Sequence, residues 1–331
     1  MDGIDYYMGR RSAWHNLGDV VGEYFNINDI MQAGRLDWDI EKHPLEFRGI
    51  EQPAYGVFRM DKDQPYLLGT VGADYEIIHH REGFEFLDIL IGNVAGAHYS
   101  TAGSLIGGRI IWGLSNLKEA ARIKGTDDIT NMYLLFKTAH DGTMAFDFRC
   151  CSERVVCWNT LNVALSEGKR SFKVRHTKNY EQRMRNAAAL LKKFSETVTS
   201  YDEKINFLAD RFVTRETLSD VLDRLFPSDE NGNRSTRSKN NITTILQNFE
   251  DNDGNAIPII RGTAYNLLNA VTEYVDHSRS VKGGTDYDRA QAAMFGTGDI
   301  FKQNAMNIIM DTVDDMPTRH SMNVTQATVQ A

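Results

Sequence analysis

From Ala54 onward the apolar positions fall into short runs. AYGVFRM and YLLGTV, split by the polar stretch DKDQP, are predicted to be the two strands of a hairpin. The period then changes: in HREGFEFLDILIGNV, Phe84, Leu87, Leu90 and Ile91 share one face at helical spacing. Strand patterning returns in HYSTAGSL, GGRIIWGLSNL, ITNMYLLFKTA and MAFDFRCC, with the charged stretch KEAARIKGTDD as a break after the second. These four runs predict an antiparallel meander, and Asp141-Gly142 marks its last hairpin, because glycine accepts the positive φ such turns need. Before Ala54, RLDWDIEKHPLEFRG alternates too imperfectly for more than an edge strand or two.

After the meander, RVVCWNTLNVALSEG predicts a strand end running into a short helix capped by Asn159 or Thr160 and closed by Gly168. A long helix follows, in which Met184, Ala187, Leu191, Phe194 and Val198 recur at steps of three and four and form a stripe for burial. The remainder to about Met310 reads as helices separated by Gly-, Asn-, Asp- and Pro-rich turns, and the tail after Asp311 as disordered. The predicted fold class is α+β: an antiparallel meander packed on helices, with a β-β-β-α-like core, ahead of a mainly helical C-terminal half. The corresponding domains are residues 1–200 (mixed, with the sheet and a long basic helix), 201–311 (helical) and 312–331 (tail).

Composition excludes some roles. No apolar run reaches the roughly 20 residues of a bilayer span, and no signal peptide is legible in MDGIDYYMGRRSAWHNLG, so a cytoplasmic location in a bacterial host cell is expected, with no membrane partner. The three cysteines, Cys150, Cys151 and Cys157, contain no C-x-x-C pair, and neither His140 nor His176 stands at a metal-ligand spacing. Small buried hydrophobes are the simpler reading of the thiols, and no metal or cofactor is expected.

Charge is unevenly placed. The chain carries a formal −8, yet Lys169 to Lys193 carries +8, with Glu181 its only acid. The candidate phosphate contacts are Lys169, Arg170, Lys173, Arg175, Lys178, Arg185 and Lys192; Lys178, Arg185 and Lys192 recur every seven residues on the predicted helix. Phe172 and Trp158 are the candidate platforms for base stacking, each competing with a place in the core. The run could equally be a solvated helix face. His140 and Asp141 could in principle form a base and its orienter, but adjacent residues at a turn point apart. The glycine stretches GGR at 107–109 and GTGD at 296–299 lack the context of a phosphate loop, and DHS at 276–278 has no evident partner.

AWHNLG, HDGTMAF, RVVCWNTLNVAL, VRHT, GTAYNLLNAVTEYVDH and FGTGDIFKQNAMNII together resemble the phage/plasmid-like protein family, classed as domain of unknown function 932, from about Arg10 to Met310. AWHNLG departs from a Pro-Trp-His-Gly-Leu-Gly pattern, which touches a turn. The resemblance implies a mobile-element gene and transfers no catalytic residue. A looser topological likeness, of strands followed by a helix, is to phage single-strand annealing proteins of the Red beta and Erf kind.

Three readings follow. The first is a non-enzymatic single-stranded DNA-binding protein, with strand annealing as one form, acting in phage recombination or replication and built as a homo-oligomer. The second is a protein-interaction factor engaging a host defence or replication component, or another phage protein. The third, an enzyme using His140, Asp141 or His176, lacks an assembled acid, base and nucleophile.

Overall fold

A computed structural model describes residues 4–9, 26–61, 63–92, 96–154, 160–163, 172–191, 194–250, 258–284, 288–289, 292–293, 296–316 and 318. It is an α+β fold, with two antiparallel sheets in the N-terminal half and helices in the C-terminal half. The larger sheet holds β1 (Ile4–Gly9), β5 (His98–Leu105), β6 (Ile110–Arg122), β7 (Ile129–Ala139), β8 (Phe146–Arg154) and β10 (Phe172–Val174) in that order, and β9 (Thr160–Val163) also pairs with β8. The smaller sheet is a meander of β2 (Ile40–Phe47), β3 (Ile50–Arg59) and β4 (Tyr66–Val71).

The described chain divides into two compact units. The first comprises residues 1–119, 131–151 and 163–197; the second comprises 120–130, 152–162 and 198–331. In the first, α1 (Ile27–Ala33) and α2 (His80–Ile91) precede β5, and α3 (Tyr180–Leu191) follows β10. The second contains α4 (Phe194–Ala209, from Val198), α5 (Arg215–Leu225), α6 (Thr236–Glu250), α7 (Ala264–Glu273) and α8 (Thr297–Val313). A π-turn, Tyr274–Ser278, continues α7. Of the tail expected after Asp311, α8 takes in Thr312 and the buried Val313, and the chain beyond Thr318 falls outside the described residues.

The core of the first unit is aromatic. Phe136 stacks on Phe146 at 5.3 Å, Phe148 lies 4.6 Å from Phe146, and Phe84 and Phe86 of α2 meet this group edge-on or tilted. The helix can come this close because a Cβ on Gly113 would stand 2.5 Å from Phe136 and 2.8 Å from Phe84. Gly113→Ala is therefore expected to cost about 1–3 kcal/mol by overpacking, seen as a lower urea midpoint.

Several expectations change. The helix expected to start at Asn159 or Thr160 is a strand over Thr160–Val163, since β8 offers an open edge whose pairing outweighs local capping chemistry. Two short strands, β9 and β10, thus stand between the four-strand meander β5–β8 and α3. β6 runs on through Lys118, at φ 53, to Arg122, and the break shortens to Ile123–Asp128. Side chains of α4 support that extension: Asp202 accepts from the Arg122 amide at 2.8 Å and Asn206 from the Lys124 amide at 2.9 Å. The single long helix is described as α3 and α4, with 192–193 outside the described residues; of its stripe, Met184 and Val198 are buried. Helix α1 was not anticipated; Asn26 caps it by accepting from the Asp29 amide.

Candidate nucleic-acid interface

β10 ends the strand order of the larger sheet, and its register assigns its side chains to faces. Phe172 pairs with Phe148 and Val174 with Phe146, so these two belong to the face packed by α2; Val174 is fully buried. Lys173 pairs with Asp147, on the reverse face, and Arg175 follows two positions on. Trp112, Lys137 and Arg149 share that reverse face, each alternating with a residue of the aromatic core (Gly113, Phe136, Phe148). Arg149 donates to Asp147 at 2.9 Å, both buried, and Lys137 is buried as well. Lys173 and Arg175 are exposed and continue this charged row out to solvent.

The segment after β10 is pinned. His176 donates through Nδ1 to the Glu76 carbonyl at 3.0 Å, which leaves Nε2 to accept from the Thr138 hydroxyl at 2.9 Å. Tyr75 stacks on this ring at 4.7 Å and 8° and donates to the Ala139 carbonyl. Burial holds His176 neutral, pushing its pKa down to about 4 against the Glu76 bond. Four residues later the Tyr180 hydroxyl donates to Glu82 at 2.6 Å, tying the start of α3 to that of α2. Between and beyond these anchors, Lys178, Arg183 and Arg185 stand exposed. Arg185 meets Glu181 one helical turn back at 3.5 Å, a surface pair worth only a few tenths of a kcal/mol, ~0.3–0.5. Lys173, Arg175, Lys178 and Arg183 have no acidic partner among the described residues.

Of the residues singled out from sequence, the structure brings Lys173, Arg175, Lys178 and Arg185 onto one continuous strand, turn and helix start. Lys178 lies in the turn before α3, so it does not share a helix face with Arg185; main-chain bonds from the Thr177 amide to the Arg175 carbonyl and from the Tyr180 amide to the Thr177 carbonyl shape this turn. Phe172 is half-buried and faces the aromatic core, where its packing against the Phe148 strand limits its use as a platform. Lys169, Arg170, Trp158 and Lys192 lie outside the described residues. Lys137, Arg149 and Trp112 were missed. Their signal was the strict alternation with Phe136, Phe148 and Gly113, which sets them on the opposite side of the sheet.

A second polar cluster gives His140 a partner that the sequence did not indicate. His80 donates through Nδ1 to the Leu36 carbonyl at 3.0 Å, so its Nε2 carries a lone pair and accepts from His140 Nε2 at 3.2 Å. His140 Nδ1 is then a buried acceptor with no partner. Burial lowers both pKa values, His80 to about 4 and His140 well below the usual range, with His80 adding repulsion at His140. His140 points inward while Asp141 caps the turn by accepting from the Thr143 amide at 3.0 Å, which separates the two as a dyad. Cys150 and Cys151 are buried in β8, and desolvation raises the Cys150 thiol; Cys157 is outside the described residues. Among the described residues no group of three His, Cys, Asp or Glu is placed to hold a metal ion, and no helix is long and apolar enough to cross a membrane.

With this geometry in view, comparison with known proteins assigns the family: residues 67–294 match the one described as Domain of unknown function (DUF932). The chain belongs to that family. Neither a curated protein nor a solved structure matches it. The DUF932 match begins in β4 and ends before α8, so it contains β10, the start of α3 and His80, His140 and His176. Trp38 and the smaller sheet's first two strands precede it.

Proposed function

We propose that this DUF932 chain is a non-enzymatic single-stranded DNA-binding protein of phage or plasmid recombination or replication, in which Lys173, Arg175, Lys178, Arg183 and Arg185 contact phosphates. The observation that carries the reading is that these five cations are exposed on one anchored segment, and among the described residues four of them make no ion pair, Asp147 across from Lys173 being engaged by Arg149, in a chain of formal charge −8. A solvated helix face would satisfy its charges with i,i+4 acids along the helix, and among the described residues of α3 only Arg185 does so. Cations left open cost self-repulsion that a polyanion relieves by releasing its own counterions.

The triple reversal Lys173→Glu, Arg175→Glu, Lys178→Glu tests it. Oligonucleotide affinity measured by anisotropy at low salt is expected to fall about 10- to 100-fold, and the log–log salt slope to become shallower by about 2, at ~0.7 per lost single-strand phosphate contact. The melting curve should stay in place because all three side chains are exposed. Unchanged affinity and slope would remove this surface from consideration.

The protein-interaction reading has its own support in the β2–β3 hairpin. Phe47 and Ile50 face each other across the Arg48-Gly49 turn and are 64% and 66% exposed. Absence of any oligonucleotide retention, with capture of a protein partner that depends on Phe47, would favour it.

A further inference from the structure

Beside the N-terminus of α2 lies a cavity of about 520 Å³, within the size range of small-ligand sites. One wall is the extended segment Leu36–Asp39, which alternates: Leu36 and Trp38 turn inward and are buried, while Asp37 and Asp39 line the opening and are exposed. The apolar wall is rigid. Trp38 donates to the Arg35 carbonyl at 3.0 Å, Arg59 lies over its ring at 4.2 Å, and His80 meets it edge-on at 4.1 Å. Arg59 is itself held by Asp61 through two nitrogens.

The cavity also adjoins the cationic segment. His79 and Arg81 line it, the His79 amide donates to Glu82 at 2.7 Å, and the other Glu82 oxygen accepts from Tyr180, two residues beyond Lys178. Tyr180 stands between Lys178 and Arg183, so a strand held along the cationic segment passes the residue that Glu82 ties to the cavity wall. That contiguity decides between the ligand classes two carboxylates would attract. A basic peptide would have to pass the cations, whereas a nucleic-acid strand is held by them.

Resting on the nucleic-acid reading above, we infer that the cavity takes one unstacked base of the bound strand and selects guanine. Ionised carboxylates only accept hydrogen bonds, and guanine alone among the DNA bases offers two adjacent donors, N1–H and the N2 amino group, to a single carboxylate. Thymine offers one donor between two carbonyls that the same oxygens repel. Leu36, Trp38 and Met31 supply the apolar contact to the base, and the arrangement is one of stacking edge plus base readout.

The test compares anisotropy titrations of an oligothymidylate with the same oligomer carrying one central dG, together with direct calorimetric titration of guanosine. The dG oligomer should bind about tenfold more tightly, as one bidentate base contact provides, and guanosine should give a saturable signal. In Asp37→Ala/Asp39→Ala both the preference and the guanosine signal should vanish, with an unchanged melting curve. Equal affinity for the two oligomers and no guanosine signal in the native protein would overturn the base pocket while leaving the cationic surface standing. Guanosine binding that persists in the double variant would also overturn it. If guanosine binds in an Asp37- and Asp39-dependent way but neither oligomer does, the phosphate surface fails and the pocket survives.

Discussion

Lys302→Met is expected to destabilise the second unit by about 3–5 kcal/mol, the usual cost of stripping the partner from a buried ion. Lys302 Nζ of α8 lies 2.7 Å from Asp276 Oδ1 in the π-turn, and the two side chains are 1% and 0% exposed. Methionine fills most of the lysine volume, so the loss reports the removal of the ammonium beside the Asp276 carboxylate rather than a cavity. Gly298, one turn before Lys302, lets α8 approach the π-turn: a Cβ there would stand 2.9 Å from Val275 Cγ1 and 2.7 Å from the Ala292 carbonyl. Pairing the change with Asp276→Leu should recover most of the loss, because two apolar groups need no mutual charge. Urea unfolding followed by circular dichroism reads both. A Lys302→Met protein as stable as the native one would mean that the ammonium of Lys302 is not what holds the Asp276 carboxylate in place.

Acid should weaken the first unit well above the pH at which carboxylates protonate. His80 and His176 have folded-state pKa values of about 4, and that of His140 is lowered further, against an ordinary 6.5. Their neutral forms are fully favoured above about pH 6.5. As the pH falls below that, the unfolded chain binds protons that the buried rings refuse, so stability drops until the folded rings themselves titrate near pH 4. Each of His80 and His176 then accounts for a loss of about 3 kcal/mol as an upper figure. His140→Phe removes one such group and should flatten the dependence of unfolding free energy on pH by about 1.4 kcal/mol per pH unit between 6 and 5. A native protein whose urea midpoint is constant from pH 7 to 5 would show that water reaches these rings.

These histidines show where a linear reading stops. His140 was visible as a turn residue, and its turn is present: Gly142 has φ 76 and Asp141 accepts from Thr143. Nothing in the residues around it indicates that His80, sixty positions earlier at the first turn of α2, would be its hydrogen-bond partner. Asp276 had no evident partner for the same reason, since Lys302 reaches it only because α8 returns across the π-turn. The cationic run, by contrast, could be read directly, because nine like charges against one acid in a short segment need no tertiary information to be noticed. Its geometry did need it. Lys178 and Arg185 were matched by a helical period, and the helix begins only at Tyr180.

Local chemistry by itself determined the elements whose own side chains decide them: the meander from His98 to Cys151, the Asp141-Gly142 turn, and α2 with its Phe84, Leu87 and Ile91 face. Periodicity encodes which way each side chain points, and that is a property of neighbouring residues. Tertiary structure decided everything that depends on a partner distant in the chain. It made Thr160–Val163 a strand because β8 had an edge to fill, and it set Lys173 beside Asp147 and brought the Asp37–Asp39 segment to α2. A hydrogen bond or ion pair forms only where two backbones meet, and that meeting is fixed by packing rather than by either segment alone.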